Sequence, residues 1–238
     1  MAACPTITTE RLILRPFREE DLGAFTATLT AEPVRRSLHL PNDFGRIEAW
    51  LQMAMWLGQW ALRGTGHWAL EERRSGSFVG RAGLHRPERP DWPGVEVGWT
   101  LHPEHWGKGY ATEAGRAAIN HAFEAQPHLA ALYSVILPEN ARSQAVARRL
   151  GFTFQEERAF AFFPDLPHGI WRLERATWEQ RQSTRTRDTN DTNDTNEGGD
   201  PACWLHQLCP GCDAVLEGPT CWRCGWRSSG GQPPTTTT

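Results

Sequence analysis

The stretch from Val95 to Ala114 constrains the fold of this chain more than any other. Apolar residues alternate strictly with others over 95–101, which predicts a β-strand with one face towards a core. A loop containing Gly107 and Gly109 follows, and apolar spacing then predicts a helix over 110–123. Glycines let a ligand approach the backbone closely, and the first N–H groups of a helix attract anions. We therefore expect a phosphate-bearing ligand at this loop.

The loop departs from the two commonest phosphate-binding motifs. No Gly-x-x-x-x-Gly-Lys-Ser/Thr sequence is present. In the dinucleotide motif Gly-x-Gly-x-x-Gly/Ala, the last position would fall on Thr112. Both motifs are excluded, and a glycine-rich turn that binds no ligand is the remaining alternative.

Strand and helix patterns alternate through the first 180 residues. Strands are predicted at 11–17, 68–71, 78–84, 95–101, 132–137, 153–163 and 170–177, and helices at 19–29, 47–62, 110–123 and 141–150. Asn140 and Gly151 are natural caps for the last of these helices. The order predicts an α/β (α+β) domain, in which helices flank a mixed, twisted central sheet.

Four segments in this order resemble one known family. They are Thr9-Glu10-Arg11-Leu12-Ile13-Leu14-Arg15-Pro16-Phe17, Gly107-Lys108-Gly109-Tyr110-Ala111-Thr112-Glu113-Ala114, Asn140-Ala141-Arg142-Ser143 and Leu150-Gly151-Phe152. Together they resemble the Rim-type, ribosomal-protein N-acetyltransferase branch of the GNAT superfamily, over about residues 6–180. The resemblance implies a GNAT fold, acetyl-CoA as co-substrate, and direct acetyl transfer to a primary amine in a ternary complex. A protein N-terminus is one candidate acceptor.

The resemblance also implies which residues contact acetyl-CoA. They are Thr100, Leu101, His102, Trp106, Gly107, Lys108, Gly109, Tyr110, Ala111, Thr112, Asn140 and Ser143. The pantetheine arm would pair with backbone freed by a splayed central strand, and an N–H near Trp99 or Thr100 would face the thioester carbonyl. One position departs from the family, whose phosphate motif usually begins with Gln or Arg where this chain has Trp106.

Candidate catalytic residues flank the same strand. Glu96 is the candidate general base or water-organising carboxylate, because amine attack on a thioester needs a neutral nucleophile. His102, Glu104 and water are rivals for this role. By resemblance, Asn140 contacts pantetheine and Ser143 donates a proton to the departing thiolate. Capping of the helix over 141–150 is the alternative for that pair.

Two other functions stay open on the sequence alone. One is acetylation of a small-molecule amine, such as an antibiotic or a polyamine. The other is a non-catalytic role, as an acetyl-CoA sensor or as an adaptor that acts through the C-terminal cysteine-rich segment described next.

The composition changes near Arg181. Residues 181–202 are expected to be a flexible linker between a transferase domain at 1–180 and a zinc-ribbon-like module at 203–227, with a disordered tail at 228–238. Cys209, Cys212, Cys221 and Cys224 form two Cys-x-x-Cys pairs and are the candidate ligands of a structural Zn²⁺. Cys203 and His206 are read as bystanders, although His206 could replace a cysteine. The module could dock a protein partner.

Charge and hydropathy limit the partners further. The formal net charge is −3, so nucleic acid binding is not expected. The sequence contains no apolar run of about 20 residues and no signal-peptide pattern at its first residues. We expect a cytoplasmic protein without membrane contact, in which cysteines bind metal rather than form disulfides.

Overall fold

The computed structural model describes residues 3–191. Its strands are β1 (Ile7–Thr8), β2 (Leu12–Arg15), β3 (His67–Glu72), β4 (Phe78–His85), β5 (Glu96–Leu101), β6 (Ala131–Ile136), β7 (Thr153–Phe160) and β8 (Phe163–Glu174). Its α-helices are α1 (Leu22–Thr30), α2 (Glu32–Ser37), α3 (Arg46–Arg63), α4 (Tyr110–Ala125), α5 (Ala141–Leu150) and α6 (Arg175–Asp191). Short 3-10 turns at Glu19–Asp21 and Pro103–His105 precede α1 and follow β5.

The strands form one mixed sheet in the order β1-β2-β3-β4-β5-β6-β8-β7. Neighbouring strands are antiparallel except for β5 and β6, which run parallel. The predicted mixed α/β sheet flanked by helices is therefore confirmed.

Helices cover both faces of the sheet. On one face, Val97 and Leu101 of β5 pack in the same core as Ala118 and Ile119 of α4. On the other, Ala69 of β3 packs in a second core with residues of α1 and α3. Successive residues of a strand point to opposite faces, so Trp68 and Leu70 of β3 lie in the first core and Ala69 lies in the second.

Helix α6 corrects one sequence prediction and overlaps the segment predicted to be a linker. Residues 175–177 were predicted to end a strand, but they begin this helix. Trp178 explains the change, because its indole is 6% exposed and its Nε1 donates a 2.9 Å hydrogen bond to Asn120 Oδ1 on α4. The helix then continues to Asp191, past Arg181, where the linker was predicted to begin.

The rest of the C-terminal predictions lie outside the described residues. They include the remainder of the linker, the four candidate zinc ligands with Cys203 and His206, and the tail. Within the described part of the chain, no helix has the length and apolar character needed to cross a membrane.

Candidate active site

A gap between β5 and β6 lies at the centre of the sheet. The parallel register of the two strands holds one residue pair, Glu96 opposite Tyr133, and Tyr133 N–H donates to the Val95 carbonyl at 2.9 Å. The other edge of β5 stays paired with β4 as far as Leu101, opposite Gly80. Beyond Glu96, β5 therefore separates from β6 while it stays paired with β4.

The direction of each peptide group in β5 follows from alternation along the strand. His102 N–H donates to the Val79 carbonyl of β4 at 3.0 Å, so the backbone of Thr100 also points towards β4. The backbone groups of Trp99 and Leu101 consequently point into the gap. Two backbone N–H groups were candidates to face a thioester carbonyl. The N–H of Trp99 points into the gap, whereas the N–H of Thr100 points towards β4.

The glycine loop lies between the end of β5 and the start of α4. Gly107 and Gly109 have φ values of 75° and 79°, a region that disfavours side chains, and the loop is exposed from Gly107 to Gly109. The indole Nε1 of Trp106 donates to the Leu101 carbonyl at 2.9 Å. The loop therefore presents backbone N–H groups of the first turn of α4 beside the gap, as an anion site requires.

Side chains from distant parts of the chain hold this loop. Arg11 Nη1 donates to the Lys108 carbonyl at 2.8 Å, and Arg11 Nε donates to Glu113 Oε2 at 2.7 Å. Thr9 Oγ1 donates to the other oxygen of Glu113 at 2.6 Å. Arg11 thus ties the loop to the first turn of α4 and adds positive charge beside it. Sequence reasoning missed this role, although Arg11 lies in one of the family-like segments.

Asn140 and Ser143 occupy the start of α5. Asn140 Oδ1 accepts a hydrogen bond from Ser143 N–H at 3.1 Å, so Asn140 is the N-cap of the helix. The Ser143 hydroxyl is half-buried and has no hydrogen-bond partner among the described residues. The capping role is therefore observed for Asn140, and the hydroxyl of Ser143 is available for other chemistry.

Glu96 is half-buried at the start of β5, where β5 and β6 still pair. Burial raises the pKa of Glu96 to about 7, against the opposing effects of the Val135 backbone and Arg81. The Trp92 indole N–H also favours the carboxylate, although it lies outside the geometry of a normal hydrogen bond. A carboxylate that titrates near neutral pH is suited to accept a proton from an amine.

The rival bases lie at the other end of the strand. His102 follows the last residue of β5, about 20 Å along the strand from Glu96 at 3.3 Å per residue. Its Nδ1 is 3.7 Å from Glu104 Oε2, and the Glu104 side chain is 82% exposed. His102 and Glu104 therefore lie at the end of β5 next to the glycine loop, whereas Glu96 marks the point where the gap begins.

A second group of polar side chains lies on the same sheet face as Glu96. Register places His67 opposite Gly83, Arg81 opposite Thr100, and His85 opposite Glu96. Trp56 of α3 covers this group, with its ring stacked 4.1 Å from the His67 ring. Sequence reasoning missed the group because its members come from separate strands, and only the register brings them together.

A strand that leaves its parallel neighbour beside a glycine loop is the arrangement expected of an acyl-CoA-dependent acetyltransferase. Comparison agrees, because the family model described as Acetyltransferase (GNAT) domain matches residues 11–153. The chain belongs to this family and is a GNAT-family N-acetyltransferase.

Relatives and solved structures support the same assignment. The FsC-acetyl coenzyme A-N(2)-transacetylase of Aspergillus fumigatus is 30% identical over 201 residues, which is 78% of this chain and 84% of that protein. An acetyltransferase of Agrobacterium tumefaciens is 31% identical, with a TM-score of 0.63 over 74% of this chain and 97% of that one. The ribosomal L7/L12 α-N-protein acetyltransferase RimL, solved with coenzyme A, is similar in fold, with a TM-score of 0.60 and 18% identity over 73% of this chain and 99% of that one.

Proposed function

We propose that this protein transfers the acetyl group of acetyl-CoA to a primary amine in a direct ternary complex. The observation that carries the proposal is the gap between β5 and β6, which opens beside the exposed loop from Gly107 to Gly109. Family membership supports acetyl-CoA as co-substrate.

The loop and the gap divide the binding of acetyl-CoA between them. The N–H groups at the start of α4 and the side chain of Lys108 bind the pyrophosphate. The outward N–H and carbonyl of Trp99 and the N–H of Leu101 pair with the pantetheine arm, while the Leu101 carbonyl keeps its hydrogen bond from Trp106. The N–H of Trp99 is then the candidate donor to the thioester carbonyl oxygen, where negative charge develops during attack.

The chemistry needs two proton transfers. The amine nitrogen forms a bond to the thioester carbon and loses a proton to Glu96, directly or through water. The carbon–sulfur bond breaks, and the departing thiolate takes a proton from the Ser143 hydroxyl, which solvent then restores. The pKa of Glu96, raised to about 7 by burial, supports the first transfer near neutral pH.

The acceptor amine belongs to one of two classes. The Aspergillus relative is named for transfer to a nitrogen from acetyl coenzyme A, and the RimL neighbour is named for protein α-amino groups. A protein N-terminus and a small-molecule amine are therefore both candidate acceptors. In either case, the C-terminal cysteines are proposed to bind one structural zinc ion and to dock a partner or the acceptor.

Turnover with a panel of amines tests the proposal. Release of free CoA thiol is measured with peptides, amino acids, polyamines and aminoglycosides, and mass spectrometry identifies each product. We expect N-acetylation of at least one class. Acetyl-CoA binding without turnover for any amine would favour the sensing role instead.

A further inference from the structure

Arg81 fixes the protonation of a buried histidine next to Glu96. Arg81 Nη1 lies 2.7 Å from His67 Nδ1, and His67 is only 2% exposed. A guanidinium group only donates hydrogen bonds, so Nδ1 must accept and the ring proton must lie on Nε2. Burial and the charge of Arg81 hold the pKa of His67 well below its usual range, so the ring stays neutral.

The protonated Nε2 of His67 lies beside Gly98. A Cβ atom on Gly98 would lie 3.4 Å from His67 Nε2 and 3.9 Å from Glu96 Oε1. A side chain at this position would fill the space between the histidine and the candidate base. Gly98, Glu96 and Arg81 are each partly exposed, so solvent reaches part of all three residues.

Two more donors, on Arg81 and on Trp56, have no partner among the described residues. Arg81 Nε and Trp56 Nε1 are buried and lack hydrogen bonds within the described residues. The two groups are neighbours, because Arg81 Cζ lies 5.2 Å from the centroid of the Trp56 ring. A buried donor without a partner costs about 1–3 kcal/mol. An oxygen acceptor at these donors, from a ligand or from water, would remove this cost.

The charge of the space selects which ligand fits. Arg81 forms no ion pair within 4 Å among the described residues. The negative charge of Glu96 favours the protonated form of Arg81. An oxyanion would neutralise Arg81 and satisfy the free donors, whereas the second ammonium group of a polyamine would be repelled. An amine next to that oxyanion would face Glu96.

We propose that the acceptor is a small amine that also carries a carboxylate, which Arg81 and His67 recognise while Glu96 faces the amine. The inference rests on the proposed function, since it names the substrate class of the same site. In a peptide N-terminus, the carbon next to the amine carries a neutral carbonyl instead of a carboxylate. A polyamine carries no oxygen.

Matched substrates test the proposal. The specificity constant kcat/KM is measured for several α-amino acids and for the carboxamide of each, so that the amine is kept and only the carboxylate changes. We expect the acids to be preferred about 10- to 100-fold, the range of a hydrogen bond to a charged group. Arg81→Gln should remove this preference, by raising KM for the acids well beyond any change in KM for the amides. Arg81→Lys, which keeps the charge, should retain part of it.

Two controls separate recognition from folding. Arg86→Gln removes an exposed arginine just after β4 and should keep the full preference. Acetyl-CoA affinity and circular dichroism show whether Arg81→Gln and His67→Gln are folded. Equal kcat/KM for acids and amides in the parent protein would overturn the proposal, and so would a higher kcat/KM for peptides. If Arg81→Gln and His67→Gln lower kcat/KM equally for acids and amides, the space holds only water and the proposal is also wrong. Failure to acetylate any amine would overturn the proposed function as well.

Discussion

The guanidinium group of Arg142 lies over the indole ring of Trp106, with its Cζ atom 4.5 Å from the ring centroid. Trp106 stands where the family that this chain resembles usually has Gln or Arg at the start of the phosphate loop. Arg142 is exposed in the first turn of α5, and the stacking holds its charge beside the loop. A basic group is thus present at this place, although it comes from another helix.

If Arg142 contributes to binding of acetyl-CoA, Arg142→Gln should weaken that affinity about fivefold, the scale of one exposed charge contact. The loss should shrink as salt is added, because ions screen the contact. Isothermal titration at two ionic strengths measures both effects. Arg148→Gln is the matched control, since Arg148 of the same helix stacks over Trp171 at 4.9 Å. An equal loss for the control would show that α5 stability, rather than charge, sets the affinity.

Gly109→Asp should weaken acetyl-CoA binding much more. Gly109 has a φ of 79°, and a Cβ there would lie 3.3 Å from Arg11 Nη2. The new carboxylate would also repel pyrophosphate, so we expect a loss of about 100-fold or more in affinity. Gly76→Asp supplies the control, because Gly76 has a φ of 69° and open space around it in the β3–β4 turn. Unchanged affinity for the Gly109 variant would remove the loop from the site.

Local patterns predicted the elements well where caps and alternation act within a few residues. Helix α5 begins at Ala141 and ends at Leu150 as predicted, because Asn140 accepts a hydrogen bond at its start and Gly151 takes the left-handed conformation at its end. The strict alternation over 95–101 likewise predicted β5 to within one residue.

Contacts between distant segments could not be predicted in this way. Arg11 and Glu113 meet across 102 residues of sequence, and Arg81 reaches His67 only because β3 and β4 pair in one register. Which edge of β5 faces β6 depends on the order of strands in the sheet. The sequence alone therefore could not show that the Thr100 peptide points towards β4. Trp178 packs against α4, which overrides the strand pattern at 175–177.

Glu96→Gln tests the candidate base. It should lower kcat about 100-fold with little change in acetyl-CoA affinity, since the amide cannot accept the proton. The pKa of Glu96 is raised to about 7, so the carboxylate forms as pH increases through that value. The parent rate should therefore rise with pH through about 7, and this rise should be lost in the variant. The defect should therefore grow through about pH 7 and shrink only well above that pH, where the amine is already neutral in both proteins.

The rival bases give a different outcome in the same measurement. If His102 or Glu104 accepts the proton, His102→Gln or Glu104→Gln should lower kcat while Glu96→Gln retains the parent pH–rate profile. If water alone suffices, none of the three variants should change kcat by as much as tenfold.

Ser143→Ala tests proton donation to the thiolate. A thiolate is a fair leaving group, so we expect kcat to fall only about tenfold, below the range usual for general acids. KM for the amine should stay the same. Asn140→Ala is informative beside it, because loss of the cap should cost about 1 kcal/mol of stability. A lower melting temperature with normal kcat in Ser143→Ala would limit its role to the helix.

Truncation and chelation test the predicted division of the chain. Because Trp178 packs against α4, the transferase should be cut after Asp191 rather than near Gln182, whose amide lies 3.4 Å from Asn120 Oδ1. A protein of residues 1–191 should fold, bind acetyl-CoA and acetylate a simple amine at nearly the parent rate. One ending at Glu174 should lose about 3–5 kcal/mol of stability, the usual cost of deleting a buried tryptophan.

The full chain should carry one zinc ion that the truncated protein lacks, since a tetrahedral site needs the four thiolates of the two Cys-x-x-Cys pairs. Metal analysis after purification gives this number, and Cys209→Ser should lower it. A chelator should release the ion without changing turnover of a simple amine, because the ion supplies folding energy to its own ligands. If the module docks the natural acceptor, chelation should raise KM for that acceptor alone. Loss of acetyl-CoA binding on chelation would instead make the cysteine-rich segment part of the transferase fold.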